Sequence, residues 1–462
     1  MLTRIQVHAF KNLLDLDVRL GPFTCIAGAN GAGKSNLFDA IRFLNLLTKH
    51  SIIEAVQSLR ETKGRSPEPR SLFTAFQTFR ESEISIAAEM IVNRSVEDDF
   101  GVPATAAITS LRYEVAFRLD DDGPAERLVL VRESLKPVNL ATARREIGFP
   151  ASVEFKKSCI TGKRNDPFIS TNEDGEIMVH QEGHGGRKLP ASKSSRTVVS
   201  GRATSDFPSI LAAHHEMAAW QTLLLEPSAM RAASSYSEPS LIDARGANLP
   251  ATIHRLQKSE QSPGAVCSSL SNRLAELIPD IQDLSVRDDP RTETLTLEVR
   301  GRGGIPLPAR SLSDGTLRFL VLATLALDPL AGGLICLEEP ENGIHPERIP
   351  AIVQLLEDIA VDPQLAVGPD NPLRQVLINT HSPEVIQNIP PDDLIYLDEQ
   401  FVVRSGGRGR VAVARFPGDT WRSLSDPEAQ RLAPGRIRSY LGNAASSNNG
   451  QLWLRFADPV AE

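Results

Sequence analysis

Four short stretches of this chain carry residue types that could act on phosphate. The first is GANGAGKSN, beginning at Gly28. Its Gly28-x-x-x-x-Gly33-Lys34-Ser35 spacing is that of a P-loop. Such glycines let main-chain amides face an anion, the lysine reaches the outer phosphates of a nucleotide, and the hydroxyl can ligate Mg²⁺. Asn30, Gly31, Gly33, Lys34, Ser35 and Asn36 are therefore candidate nucleotide contacts, with Ser35 also a candidate metal ligand. The second stretch, GLICLEEPENGIHP from Gly333, puts two carboxylates, Glu338 and Glu339, at the end of an apolar run. Paired carboxylates there suit a Mg²⁺ contact and a general base for an attacking water. The third, VLINTHSPEVI from Val376, ends a similar run in Thr380-His381-Ser382, and a histidine so placed can hydrogen-bond a γ-phosphate. The fourth, SLSDGTLRFLVLATLALDP from Ser311, has Ser313 and Gly315 just before an apolar helical run. This turn reads either as an anion-binding corner or as a plain helix cap.

These residues need elements to hold them. FTCIAG, Phe23 to Gly28, is a short continuous apolar run, as in a strand buried on both faces. After Lys34 the period changes, and Leu37, Ile41, Leu44 and Leu47 share one helical face. The first turn therefore joins a buried strand to a helix. Residues 334–338 and 376–380 are two more buried strands, and DDLIYL, 392–397, is a further one. Around residues 3–9, 12–19, 83–92, 110–119 and 126–135 the pattern alternates, and Leu111, Tyr113, Val115, Phe117 and Leu119 fall on one face. That predicts an antiparallel sheet. Residues 60–71 read as a polar loop, 207–225 as helical, ARGANLPATIHRLQ as leading into a helix, and ETLTLEVRG as a strand. A Ser/Asn/Gly-rich loop lies near 443–450.

The chain has 462 residues, 41% of them hydrophobic and 23% charged, an ordinary globular balance. Net charge is −8 and the pI about 5.7, which excludes a uniformly basic nucleic-acid coat. Between Arg132 and Arg202, however, thirteen Lys/Arg face eight Asp/Glu, a local +5 that leaves −13 for the rest. That excess suits either a DNA- or RNA-facing surface or a solvated, loop-rich region. Cys25, Cys159, Cys267 and Cys336 show no paired spacing and read as free, reduced thiols of a cytoplasmic protein. Adjacent histidines on a helix point to different faces, so His214 and His215 read as a surface pair rather than a metal site. The start has no secretory signal pattern, and the longest apolar run, Phe319 to Leu327, is far below a membrane span.

In this order the four stretches resemble the ATP-binding-cassette ATPase superfamily: P-loop, signature turn, acidic (Walker B) strand end and switch histidine. The forms GANGAGKSNLFDAIRFL, LSDGTLRFLVLATLAL, EEPENGIHP and NTHSPEVI, with FKNL and ARGANLPATIHRL, are similar to one branch. It comprises the RecF, Rad50 and OLD-type heads and the ATPase subunits of antiphage systems such as Septu and PARIS. The resemblance covers roughly 1–50 and 310–400 and is weak over 136–290. It implies an α/β fold: an ABC-ATPase head with an antiparallel β-subdomain and a helical or irregular insertion. The expected division is 1–135 as the first lobe, 136–290 as the insertion and 291–462 as the second lobe.

The resemblance also implies ATP and Mg²⁺ as cofactors, Glu338 beside the metal, Glu339 as base and His381 as γ-phosphate sensor. Ser313 and Gly315 would complete the site of a second head, so the chain would be a homodimer or larger. Glu338 stands where Walker B usually has aspartate, and Asp314 where transporters commonly have glycine. Gln77 is a weak Q-loop candidate. No acidic nuclease constellation follows the head, unlike OLD proteins, so a nuclease or toxin effector would be a separate chain. The expected role is an antiphage ATPase. A DNA-repair or chromosome-maintenance ATPase is the alternative, and a transporter subunit is a third reading.

Overall fold

The continuous apolar strands form the centre of the molecule. The computed structural model describes residues 1–59, 68–121, 126–180, 187–259, 264–278, 281–425 and 430–432. The 443–450 stretch and most of the 60–71 loop lie outside these residues. A six-stranded sheet runs in the order Gln221–Leu223, Gly333–Glu338, Arg374–Thr380, Phe23–Ala27, Leu394–Arg404, Gly407–Arg415. The first five strands are parallel and the last is antiparallel.

Both faces of this sheet are covered, which is why its strands read as unbroken apolar runs. Ile26, Leu334, Cys336, Leu377 and Ile395 point into one core, with helix Lys34–Lys49 and an antiparallel sheet. Cys25, Ala27, Ile335, Leu337, Val376 and Ile378 point into another, with helices Leu249–Ser259, Ala265–Leu277, Asp314–Leu327 and Ile349–Ile359. All four cysteines are buried, and none of them is in a disulfide.

The antiparallel sheet has eight strands, in the order Arg187–Pro190, Glu176–Val179, Ile169–Thr171, Arg127–Pro137, Ser110–Asp120, Glu83–Ile91, Leu2–Phe10, Leu13–Arg19. Leu111, Tyr113, Val115 and Phe117 are buried on its inner face and Leu119 partly so. Three of its strands, Ile169–Thr171, Glu176–Val179 and Arg187–Pro190, come from residues 136–205, where the sequence shows no regular period. Helix Pro208–Ala218 is shorter than the 207–225 expectation. Beyond it Gln221–Leu223 pairs with Ile335–Leu337 at the sheet edge instead, because a parallel neighbour outbids helix propensity for three residues. ETLTLEVRG is a strand as expected, Thr294–Gly301, with Leu295, Leu297 and Val299 buried, in a small separate sheet with Ile281–Asp289.

One side chain joins the two large sheets. Gln375 is fully buried, accepts from Leu2 N (2.8 Å), and donates to Leu2 O (2.7 Å) and Gly21 O (2.8 Å). Replacement by leucine of similar size leaves three main-chain groups without partners in a dry interior. Gln375→Leu is expected to lower unfolding free energy by about 2–4 kcal/mol, read by denaturant titration. A loss below about 0.5 kcal/mol would show that the sheets are held together elsewhere.

Candidate nucleotide site

Three parallel strand ends meet at one edge of the central sheet. Strand Arg374–Thr380 lies between Phe23–Ala27 and Gly333–Glu338, with Asn379 level with Ile26 on one side and Glu338 on the other. The glycine turn, the acidic pair and His381 follow directly from these three ends. Ligands in open α/β sheets bind at this carboxyl edge.

The turn is built by glycines at φ +152 (Gly28), +85 (Gly31) and +105 (Gly33). A Cβ on Gly28 would lie 2.3 Å from Leu397 O, and one on Gly33 2.8 Å from both Ala412 Cβ and Asn12 Oδ1. Gly33 caps helix Lys34–Lys49 with no side-chain bond, so the helix's first amides face the turn's concavity. Lys34 is buried, and its Nζ donates to Gly28 O (2.6 Å) and Ala29 O (3.0 Å) of its own turn. Desolvation holds its ammonium below the ordinary lysine range, opposed by the charges of Glu339 and Glu341. Asn30 and Gly31 are exposed, and Ser35 and Asn36 are half-buried at the helix start.

Glu338 closes its strand and Glu339 turns away at φ +46, a left-handed conformation that costs a non-glycine residue about 1 kcal/mol or more. Glu339 N donates to Asn379 O (2.9 Å), which holds this strained residue against the neighbouring strand. Its carboxylate accepts from Asn342 Nδ2 (2.8 Å), and His381 Nδ1 lies 2.8 Å from its other oxygen. A carboxylate can only accept, so Nδ1 carries the proton of that bond. Glu339 and His381 are thus one pair.

Ser313 stands apart from them. It caps helix Asp314–Leu327, its Oγ accepting from Thr316 N at 3.2 Å. The cap reading is therefore realised. Gly315 lies against the loop that follows the acidic strand, where a Cβ would be 2.6 Å from Gly343 O. Arg231 clamps the turn, donating to Leu312 O (3.0 Å) and to the Asp314 carboxylate.

Other expectations resolve less simply. Gln77 is exposed in a bend held by its N donating to Arg408 O (3.1 Å). His214 and His215 are half-buried rather than superficial, with His214 Nδ1 3.2 Å from Val199 O. Within the basic stretch, Arg132 pairs with Glu114 and Lys188 with Glu176, while Arg144 and Arg196 donate to Ile160 O and Lys49 O.

Sequence reasoning missed Asn12, Asn379 and Glu341. Asn12 accepts from Asn36 Nδ2 (2.8 Å), reaches Gly31 O (3.4 Å), and receives Ala412 N on its carbonyl. It supports the glycine turn from outside. The FKNL stretch was its only signal. Asn379 and Glu341 fall within the NTHSPEVI and EEPENGIHP stretches, but their roles depend on which strands become neighbours.

The donor set fits the expected groups. An amide-lined turn with a buried ammonium suits polyphosphate, and a hydroxyl with carboxylates, all oxygen, suits Mg²⁺. A glycine turn opening a helix, with a third strand inserted between it and the acidic strand, defines a P-loop ATPase head of the ABC type. Residues 23–136 and 220–387 match the family described as "AAA domain, putative AbiEii toxin, Type IV TA system", and the chain belongs to it.

Two curated proteins are similar over shorter lengths. Structural maintenance of chromosomes protein 4 of Caenorhabditis elegans is 28% identical over 192 residues, 37% of this chain and 12% of that protein. The OLD nuclease of Thermus scotoductus is 54% identical over 41 residues, 9% of this chain and 8% of that protein. The matches thus span only small parts of these relatives. Among solved structures, an Smc head bound to the C-winged helix domain of ScpA has a TM-score of 0.47 at 14% identity, covering 89% of this chain and 98% of that one. The Smc head with an extended coiled coil bound to the C-terminal domain of ScpA, from Pyrococcus furiosus, has a TM-score of 0.45 at 13% identity, covering 89% and 96%. No described helix is long and apolar enough to cross a membrane.

The turn's geometry is unforgiving at Gly28, where the obstacle is main chain. Gly28→Ala is expected to cost about 2–3 kcal/mol of stability and to abolish binding of a fluorescent ATP analogue. Normal binding in a normally stable variant would refute the close approach to Leu397.

Proposed function

We propose that this chain hydrolyses ATP, dimerises head to head around it, and so controls a separately encoded effector, a nuclease or toxin, in bacterial antiphage defence. The observation that carries the catalytic part is the Glu339–His381 pair at 2.8 Å, one strand away from the buried Lys34. Lys34 would hold the outer phosphates, with Asn30, Gly31, Gly33 and Asn36 around them. Mg²⁺, held by Ser35 and Glu338, would neutralise charge on the phosphates. Glu339 would take the proton of the attacking water, and His381 would orient Glu339 and meet the γ-phosphate. The defence assignment draws on the family's description and on the short, strong similarity to a nuclease of the OLD type. Purification with the products of neighbouring genes, followed by nuclease assay with and without ATP, tests it. ATP-independent activity, or no effector, would count against it.

A second reading is favoured by the similarity to a structural maintenance of chromosomes protein. On that reading the chain acts on DNA directly, as a repair or chromosome-maintenance ATPase, and its ATP-dependent DNA affinity would fall steeply with salt.

Glu339→Gln keeps the side chain's shape but removes the base. Turnover is expected to fall about 10²-fold or more while ATP binding persists, with a dimer that accumulates on ATP in light scattering. Unchanged turnover would remove Glu339 from the role of base.

The two-headed arrangement has its own test. Lys34→Ala and Ser313→Arg should each be inactive alone, since one lacks the phosphate cradle and the other blocks the partner's site. Mixed together they should recover turnover, because the hybrid dimer has one intact composite site. Ordinary activity of Ser313→Arg as a monomer would end the sandwich model.

A further inference from the structure

The acidic strand end carries a third carboxylate that the catalytic reading does not use. Glu341 Oε1 accepts a hydrogen bond from the Thr380 hydroxyl at 2.5 Å. That hydroxyl oxygen in turn accepts from Ser382 N at 2.9 Å. Thr380 is fully buried. The hydroxyl therefore bonds on both sides of His381, to Glu341 across the cleft and to the amide just past the histidine. Because a Thr hydroxyl has one proton, donation to Glu341 leaves only its lone pairs for Ser382 N, so each bond fixes the direction of the other. His381 sits between these two anchors, and its ring meets Glu339. The other oxygen, Glu341 Oε2, is buried without a hydrogen-bond partner among the described residues. A carboxylate held there at the cost of an unmet acceptor calls for an explanation. Glu341 is half-buried, and burial pushes its carboxyl above the usual range against the opposing hydrogen bond from Thr380.

We propose that Glu341, acting through the Thr380 hydroxyl, is the positioning residue that sets the His381 turn and so aims the His381–Glu339 pair. Besides the tie to its own backbone, which would serve a local role at the strand end, the Glu341 carboxylate makes a bond that crosses to the neighbouring strand, at the residue that precedes the histidine. The kinetic consequence rests on the hydrolytic reading above, whereas the structural consequence does not.

Thr380→Val removes the hydroxyl at nearly constant volume, Thr380→Ser restores it, and Glu341→Ala removes the acceptor. The full-length chain is assayed for ATP turnover over a range of concentrations. In parallel, the ring resonances of labelled histidine are recorded, with His381 assigned by its loss in His381→Gln. Thr380→Val and Glu341→Ala are expected to lower kcat about tenfold or more, with KM for ATP within about threefold. Both should shift the His381 signals, and Thr380→Ser should keep turnover and signals near those of the parent. Should Glu341→Ala fail to fold, the isosteric Thr380→Val decides. Unmoved His381 signals in Thr380→Val overturn the proposal whether or not kcat falls. If the parent chain shows no turnover, the hydrolytic reading fails, and the resonances alone still decide the positioning role.

Discussion

The parallel register of three strands is the constraint on which the rest depends. Asn379 lies level with Ile26 and with Glu338, so three chain segments far apart in sequence end side by side. A slip of one residue in Arg374–Thr380 would exchange its two faces and send Leu377 and Ile378 into the wrong cores. Because these strands are buried on both sides, such a slip would misplace apolar groups twice over. The placement of the turn, the acidic pair and the histidine thus inherits its precision from core packing, not from local contacts at the site.

The polar groups that cross the interior reinforce the same edge. Gln375 ties the middle strand to both main-chain groups of Leu2, the first residue of the antiparallel sheet, and to Gly21. Arg422, buried and lowered to about 10 by desolvation, donates to Arg19 O (2.9 Å), to Thr24 Oγ1 (2.9 Å) and to Asp392 O. Burial raises its neighbour Asp393 to about 6, against the opposing charge of Arg422. Removing either long side chain would strand buried carbonyls and a hydroxyl rather than a surface pair. These residues bind the N-terminal strands to segments more than three hundred residues later, which lets a chain with a long intervening stretch close into one site.

Much of this was legible in the sequence, for physical reasons that differ by element. Phe23–Ala27, Gly333–Glu338 and Arg374–Thr380 stand out because double burial excludes polar residues from them. Leu111 to Phe117 stand out because one-sided burial imposes a period of two. Ile169–Thr171 and Glu176–Val179 are too short to display any period, and the sheet they extend is what makes them strands. Leu223, Leu224 and Leu225 continue an apolar helical pattern, yet the open edge of strand Gly333–Glu338 takes Gln221–Leu223. Asn12, Asn379 and Glu341 are single polar residues whose partners are set only by the folded topology, so spacing could not reveal them. Nor could it show that Glu339 would sit at positive φ, a conformation maintained by its amide's bond to Asn379.

Ser313 and Gly315 show where sequence and structure leave two explanations standing together. The cap bond occupies Thr316 N, and Gly315 is required by main chain 2.6 Å from where a Cβ would be. Both residues are therefore needed inside one chain, and neither identity is by itself evidence for phosphate binding. Yet the same packing sets Gly315 against Gly343, four residues beyond Glu339, and Arg231 fixes the turn from the other side. A helix N-terminus held rigidly still presents those first-turn amides that the cap leaves unbonded. The cap is thus one use of a rigid turn whose geometry leaves room for the other, and the contact at Gly343 joins that turn to the loop that follows this chain's own carboxylates.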